Sequence, residues 1–271
     1  MLPGTTHSRI LARTGVDWIC VDTEHGLLSD SSMHESVAAI AAAGVSPVVR
    51  IAANEPWMVK RALDSGAHGV IVPLLQTADD AKRLVSSAKF PPQGTRGFGS
   101  PFPMEKFHAM YSDSSSSLMG GSGKGSVTQT QYLQQANDAL VTVVQIETAE
   151  ALANVDAIAA IEGVDVLLIG PFDLGNNIGH PIIDSMDQEL KDAIAKIHAA
   201  AGKAGKRTGI YCTSGEQARE YADAGFHMIS CVTDAAVLGQ ASADAVKKAQ
   251  GGVLHSAYQG VKDGVSKMTY G

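Results

Sequence analysis

Short, nearly unbroken apolar runs alternate with alanine-rich stretches of helical period along most of the chain. The runs are Trp18–Asp22, Pro47–Ile51, Gly69–Leu74, Leu140–Ile146, Val164–Gly170, Arg207–Tyr211 and Phe226–Cys231. Runs of this length, bounded by turn residues, predict parallel strands buried on both faces. Helical spacing predicts helices over Ser32–Ala43, Pro56–Ser65, Ala78–Ser87, Ala149–Ile161, Gln188–Ala204 and Ser214–Ala224. Three of them end in a small residue followed by glycine, at Ala43-Gly44, Ser65-Gly66 and Ala224-Gly225. Glycine there accepts the left-handed conformation that ends a helix before the next strand.

Seven such alternations predict an α/β fold, either a (β/α)8 TIM barrel or a doubly wound open sheet. An open sheet usually shows GxGxxG after its first strand, and none follows Trp18–Asp22. A barrel is therefore expected, as a single domain over residues 1–250. The Ser/Gly-rich stretch Ser112–Gln131 breaks the rhythm and reads as a flexible insertion over residues 112–131. Residues 251–271 are rich in glycine and read as a C-terminal tail. Seven strand candidates against eight predict that the first strand is lacking, so the chain reads as shortened at its start. Unpaired edges are then expected on the Trp18–Asp22 and Phe226–Cys231 strands.

The 271 residues are 45% hydrophobic and 18% charged, with a formal net charge of -7. That balance argues against a partner made of nucleic acid, which calls for a basic stripe. No apolar run approaches the ~20 residues of a membrane span, and no secretion signal opens the chain. A cytoplasmic protein with no membrane partner is expected. Cys20, Cys212 and Cys231 lack the spacing of a zinc motif or a disulfide framework.

In a parallel barrel the C-terminal strand ends converge on one mouth. Polar residues at those ends are Asp22, Glu24 and His25, then Arg50, then Gln145 and Glu147, and finally the Gly170-Pro171-Phe172-Asp173 turn. Glu147 and Asp173 are 26 residues apart, about one repeat, which puts them on neighbouring strands. Two carboxylates that close suit a hard divalent cation, Mg²⁺ or Mn²⁺ and also Co²⁺; the alternative is that one of them caps a helix. Arg50 suits a carboxylate or oxyanion, or a structural ion pair. His25, three residues after Asp22, is the best candidate for a general base. No lysine falls within the apolar part of a strand, so a Schiff-base lysine is not expected. Nor is a nucleotide cofactor.

The strings DWICVDTEHG, PVVRI, GVIVPLLQTADDAKRLV, PPQGTRGFGS, VVQIETAEALANVDAI and GVDVLLIGPFDLGNNIG resemble the HpcH/HpaI aldolases, metal-dependent class II pyruvate aldolases related to citrate lyase β subunits. The resemblance implies a phosphoenolpyruvate/pyruvate-type barrel. It also implies reversible cleavage of a 4-hydroxy-2-oxo acid to pyruvate and an aldehyde, as in 4-hydroxy-2-oxoheptanedioate aldolases. It assigns Glu147 and Asp173 to the metal, and Gln145 and Arg50 to the pyruvyl group. The backbone N–H groups of Phe172 and Asp173 are assigned to the pyruvate carboxylate, and His25 with Asp22 to an acid–base dyad. Arg96-Gly97-Phe98-Gly99 matches a loop near the mouth. A homo-oligomer, dimer or hexamer, that exchanges its final helix is implied as well. Alternatives are oxaloacetate decarboxylation, macrophomate synthase-like carbon–carbon bond formation, a citryl- or malyl-CoA-type lyase, and a non-catalytic relic. The identity of the aldehyde half is not legible.

Overall fold

The computed structural model describes residues 1–106 and 127–250. Most of the expected insertion and all of the expected tail lie outside the described residues. The chain divides into two compact units, Met1–Cys231 and Val232–Gly271.

The first unit opens with α1 (Thr5–Leu11), β1 (Trp18–Asp22), α2 (Asp30–Ala42), β2 (Ser46–Arg50), α3 (Pro56–Asp64), β3 (Gly69–Val72) and α4 (Ala78–Ala88). A 3-10 turn at Pro103–Lys106 follows, and then come α5 (Gln129–Ala139) and β4 (Val141–Ile146). The rest is α6 (Ala149–Ala153), α7 (Val155–Ala159), β5 (Val166–Ile169), α8 (Pro171–Asn177), α9 (Gln188–Lys203), β6 (Arg207–Tyr211), α10 (Gly215–Asp223) and β7 (Met228–Ser230). The seven strands are the seven expected, all parallel, in the order β1 to β7. Among the described residues no strand pairs with the outer edge of β1 or β7.

Two apolar layers hold the sheet. On the helix-facing side, Val21, Val49, Val70, Val144, Leu167 and Ile210 pack into the large core with the helices. The other face carries a smaller cluster of Val48, Ile71, Val143, Val166 and Leu168, flanked by Trp18, Cys20, Val141 and Met228. The sheet is curled about this inner cluster. In a flat sheet β1 and β5 would lie four spacings, roughly 19 Å, apart. Yet Glu24, just past β1, feels the charge of Asp173, just past β5. Curling crowds the inner face, and Gly209 answers this on β6: a Cβ there would meet Met228 O at 2.6 Å and Leu168 Cδ1 at 2.7 Å.

Three local readings change. The expected helix Ala149–Ile161 is two helices broken at Asn154, whose side chain donates to Gln76 O at 3.0 Å. The last residues of the expected insertion are ordered: Val127 is buried, and Thr128 and Gln131 form a capping box that starts α5. The polar string TQTQ reads as linker by composition, but its Thr-x-x-Gln spacing is a helix start. The short α1 and α8 have too few residues to show a period.

Residues 234–250 of the second unit are helical. Among the described residues no helix is long and apolar enough to cross a membrane.

Candidate active site

Successive side chains on a strand alternate faces, so two residues beyond an inner-cluster position points the same way. That step leads from Cys20 to Asp22, from Val48 to Arg50, from Val143 to Gln145, from Leu168 to Gly170 and from Gly209 to Tyr211. The sheet thus delivers a carboxylate, a guanidinium, an amide, a gap and a phenol to its C-terminal rim.

Asp22 and Arg50 face each other in register across β1 and β2. Arg50 Nε donates to Asp22 Oδ1 at 2.9 Å and Nη2 to Oδ2 at 2.6 Å, a bidentate pair. The Glu24 and His25 backbone N–H groups also donate to Asp22 Oδ1, at 3.1 and 3.3 Å. Burial pushes the Asp22 carboxyl up, but the Arg50 bonds and charge, with the two N–H groups, outweigh it and hold it below its ordinary value. The His25 ring Nε2 lies 3.6 Å from Glu24 Oε2.

Glu147, just past β4, is buried and held on both oxygens. Its Oε1 accepts from Leu74 N–H at 2.8 Å, and its Oε2 accepts from Gln145 Nε2. Leu74 makes this bond from the left-handed region, φ 53, which non-glycine residues rarely occupy. Burial pushes the Glu147 carboxyl up, the Leu74 N–H opposes this, and the negative charge of Asp173 adds to it. Gly170 leaves the space open, since a Cβ there would stand 2.6 Å from Glu147 Oε2 and 3.0 Å from Gln145 Nε2. Asp173 lies in the first turn of α8, a helix whose N-cap, Gly170, offers no side-chain bond to the Phe172 and Asp173 N–H groups.

The sequence profile of the HpcH/HpaI aldolase/citrate lyase family matches residues 2–241. The chain belongs to this family. A hydroxypyruvate/pyruvate aldolase of Rhizorhabdus wittichii is 36% identical over 92% of the chain and 91% of its own length. A 5-keto-4-deoxy-D-glucarate aldolase of Citrobacter koseri is 34% identical, covering 89% of this chain and 87% of that one. The crystal structure of a family member from Burkholderia cenocepacia superposes with a TM-score of 0.77 at 33% identity, covering 92% of this chain and 91% of the other. The protein is an enzyme, an aldolase of the lyase class, and its relatives' names support a pyruvate or 2-oxo acid substrate.

Within this HpcH/HpaI aldolase, the matched loop Arg96–Gly99 is anchored through its arginine. Arg96 is buried between α3 and α5, donating to Asp64 Oδ1 at 3.0 Å and Tyr132 Oη at 3.3 Å, with its guanidinium 4.5 Å from the centroid of the Phe90 ring. Two rim features escaped sequence reading. Tyr211 packs edge-on against Phe172, with ring centroids 6.3 Å apart; its position two residues after the inward Gly209 is the signal that could have found it. Leu74 acts through its backbone, which no residue type announces. A further group, His180, Asp187 and Glu189, brings its ligand atoms within 4.8 Å of one another, but Asp187 there caps α9 and pairs with His180 at 2.6 Å.

Proposed function

We propose that this aldolase cleaves a 4-hydroxy-2-oxo acid to pyruvate and an aldehyde with the help of a divalent cation, Mg²⁺ or Mn²⁺. It would act in the cytoplasm, on a sheet that is the seven-stranded portion of a (β/α)8 barrel. The carrying observation is the cradle around Glu147. Gly170 keeps that cradle open, Asp173 shares its field, and the buried Gln145 Oε1 has no partner. Two hard, anionic oxygen donors that repel each other fit such a cation. Glu147 and Asp173 would hold it, and it would supply positive charge where the substrate's oxygens become more negative.

The chain's own residues do the rest. The open N–H groups of Phe172 and Asp173 receive the substrate carboxylate, as helix starts receive anions. Gln145 positions the pyruvyl group. Arg50, locked in orientation by Asp22, places a permanent positive charge beside the oxygen of the forming enolate. His25, its side chain 59% exposed, takes the C4 hydroxyl proton as the C3–C4 bond breaks. The bond's electron pair stays on the pyruvate fragment as the enolate, the aldehyde leaves, and protonation at C3 completes pyruvate.

The test is pyruvate release from a panel of 4-hydroxy-2-oxo acids with Mg²⁺, Mn²⁺, Co²⁺ or excess chelator. Chelation abolishes release and the metals restore it. Glu147→Gln or Asp173→Asn weakens metal binding by more than the ~10–100-fold typical of losing an outer-shell partner. Full activity in excess chelator overturns the reading.

A further inference from the structure

Cys212 and Cys231 are 19 residues apart in sequence, each one residue past the end of its strand, β6 and β7. These strands are parallel neighbours with Tyr211 opposite Ser230, and the Cys212 N–H donates to Ser230 O at 2.8 Å. The next residues in that register are the two cysteines. Their faces agree as well. Ile210 and Ile229 both belong to the helix-facing core, and two residues further along each strand Cys212 and Cys231 turn to the same side. Neighbouring strands run ~4.8 Å apart, inside the ~4.4–6.8 Å between Cα atoms that a disulfide spans. The third cysteine, Cys20, flanks the inner cluster on the other face of the sheet.

We propose that Cys212 and Cys231 form a reversible redox pair, a dithiol that hydrogen peroxide converts to a disulfide latching β7 to β6. The latch has something to hold. β7 is three residues long, and among the described residues only β6 pairs with it. In a reducing compartment the pair rests as the dithiol, and a rise in peroxide closes it.

The two thiols differ in access, which sets the order of events. Cys231 is exposed and Cys212 is buried. Burial pushes the Cys212 thiol up to about 12, and the charge of Cys231 adds to this. Cys231 therefore attacks first. Its thiolate bonds to one peroxide oxygen, the O–O bond breaks, hydroxide leaves, and Cys231 becomes a sulfenic acid. The Cys212 sulfur then attacks the sulfenic sulfur, the S–O bond breaks, and the Cys212 proton departs with that hydroxide as water. Two thiols are oxidised to one disulfide, and one peroxide is reduced to two waters. A small dithiol reverses the link by exchange.

The experiment treats the folded chain with hydrogen peroxide, alkylates the remaining thiols and maps a tryptic digest. Trypsin cuts after Arg207, Arg219 and Lys247, so the two cysteines fall in separate peptides, residues 208–219 and 220–247. These peptides are expected to be joined, lighter by two hydrogen atoms, and separated again by a dithiol, with Cys20 alkylated. The linked chain is expected to be unfolded on the order of 100-fold less at a fixed urea concentration, as closing a loop of this length implies. Cys231→Ser, a change at an exposed position, leaves Cys212 alkylated after the same treatment. Cys231 found as a sulfinic acid beside an alkylated Cys212, Cys231 joined to Cys20 or to another copy, or a link that brings no resistance to urea overturns the proposal.

Discussion

A single backbone angle carries weight at this site. Leu74 holds φ 53 so that its N–H reaches Glu147 Oε1 at 2.8 Å, while its side chain stays mostly exposed. The cost for an L-residue is ~1–2 kcal/mol, and β-branching makes it larger. Leu74→Asn, a residue that tolerates this conformation, is expected to be neutral or stabilising by up to ~1 kcal/mol. Leu74→Val is expected to destabilise by ~1–2 kcal/mol and to slow catalysis by freeing Glu147. Chemical denaturation and initial rates on the two variants check this, and equal stability of Asn and Val would show that the angle is unimportant.

Among the elements, α5 is pinned at its C-terminal end by one buried lysine. Lys89, which ends α4, sends its Nζ to Asn137 O and Leu140 O, at 2.5 and 2.9 Å, at the C-terminal end of α5. The Asn137 side chain answers by bonding Phe90 N and O. Removing the amine leaves buried carbonyls unpaired, so Lys89→Met is expected to cost ~2 kcal/mol at neutral pH. Burial pushes the Lys89 amine below its ordinary 10.5, against the pull of Asp165 and Asp138. A base lowered in the folded state binds fewer protons there than when unfolded, so its contribution to stability rises with pH through that window. The stability gap between wild type and Lys89→Met is expected to widen as pH climbs towards 10.5, and a gap that narrows would show that the charge itself is what holds α5. Two carbonyls need only two donors, which the neutral amine still has.

For the whole molecule, the helix over residues 234–250 raises the question of assembly. It carries the apolar residues Val237, Leu238 and Val246. We propose that it finds its partner in another copy, so that the aldolase is a dimer or larger homo-oligomer. Light scattering at micromolar concentration is expected to give at least twice the chain mass, and Leu238→Glu to lower it. A clean monomer would overturn the proposal.

The alternation of strand and helix was legible along the chain because burial on both faces leaves continuous apolar runs, and glycine marks helix ends. The residues of the rim were legible for a similarly local reason: strand period carries Asp22, Arg50 and Gln145 to one face and one end. Which charges pair was not legible. Asp22 meets Arg50 from 28 residues away and Glu147 meets Leu74 from 73, contacts set by strand register and by the curl of the sheet. Local pattern determined the elements and the cast of side chains, and only the packed sheet decided who faces whom, because that choice depends on distances no stretch of chain encodes by itself.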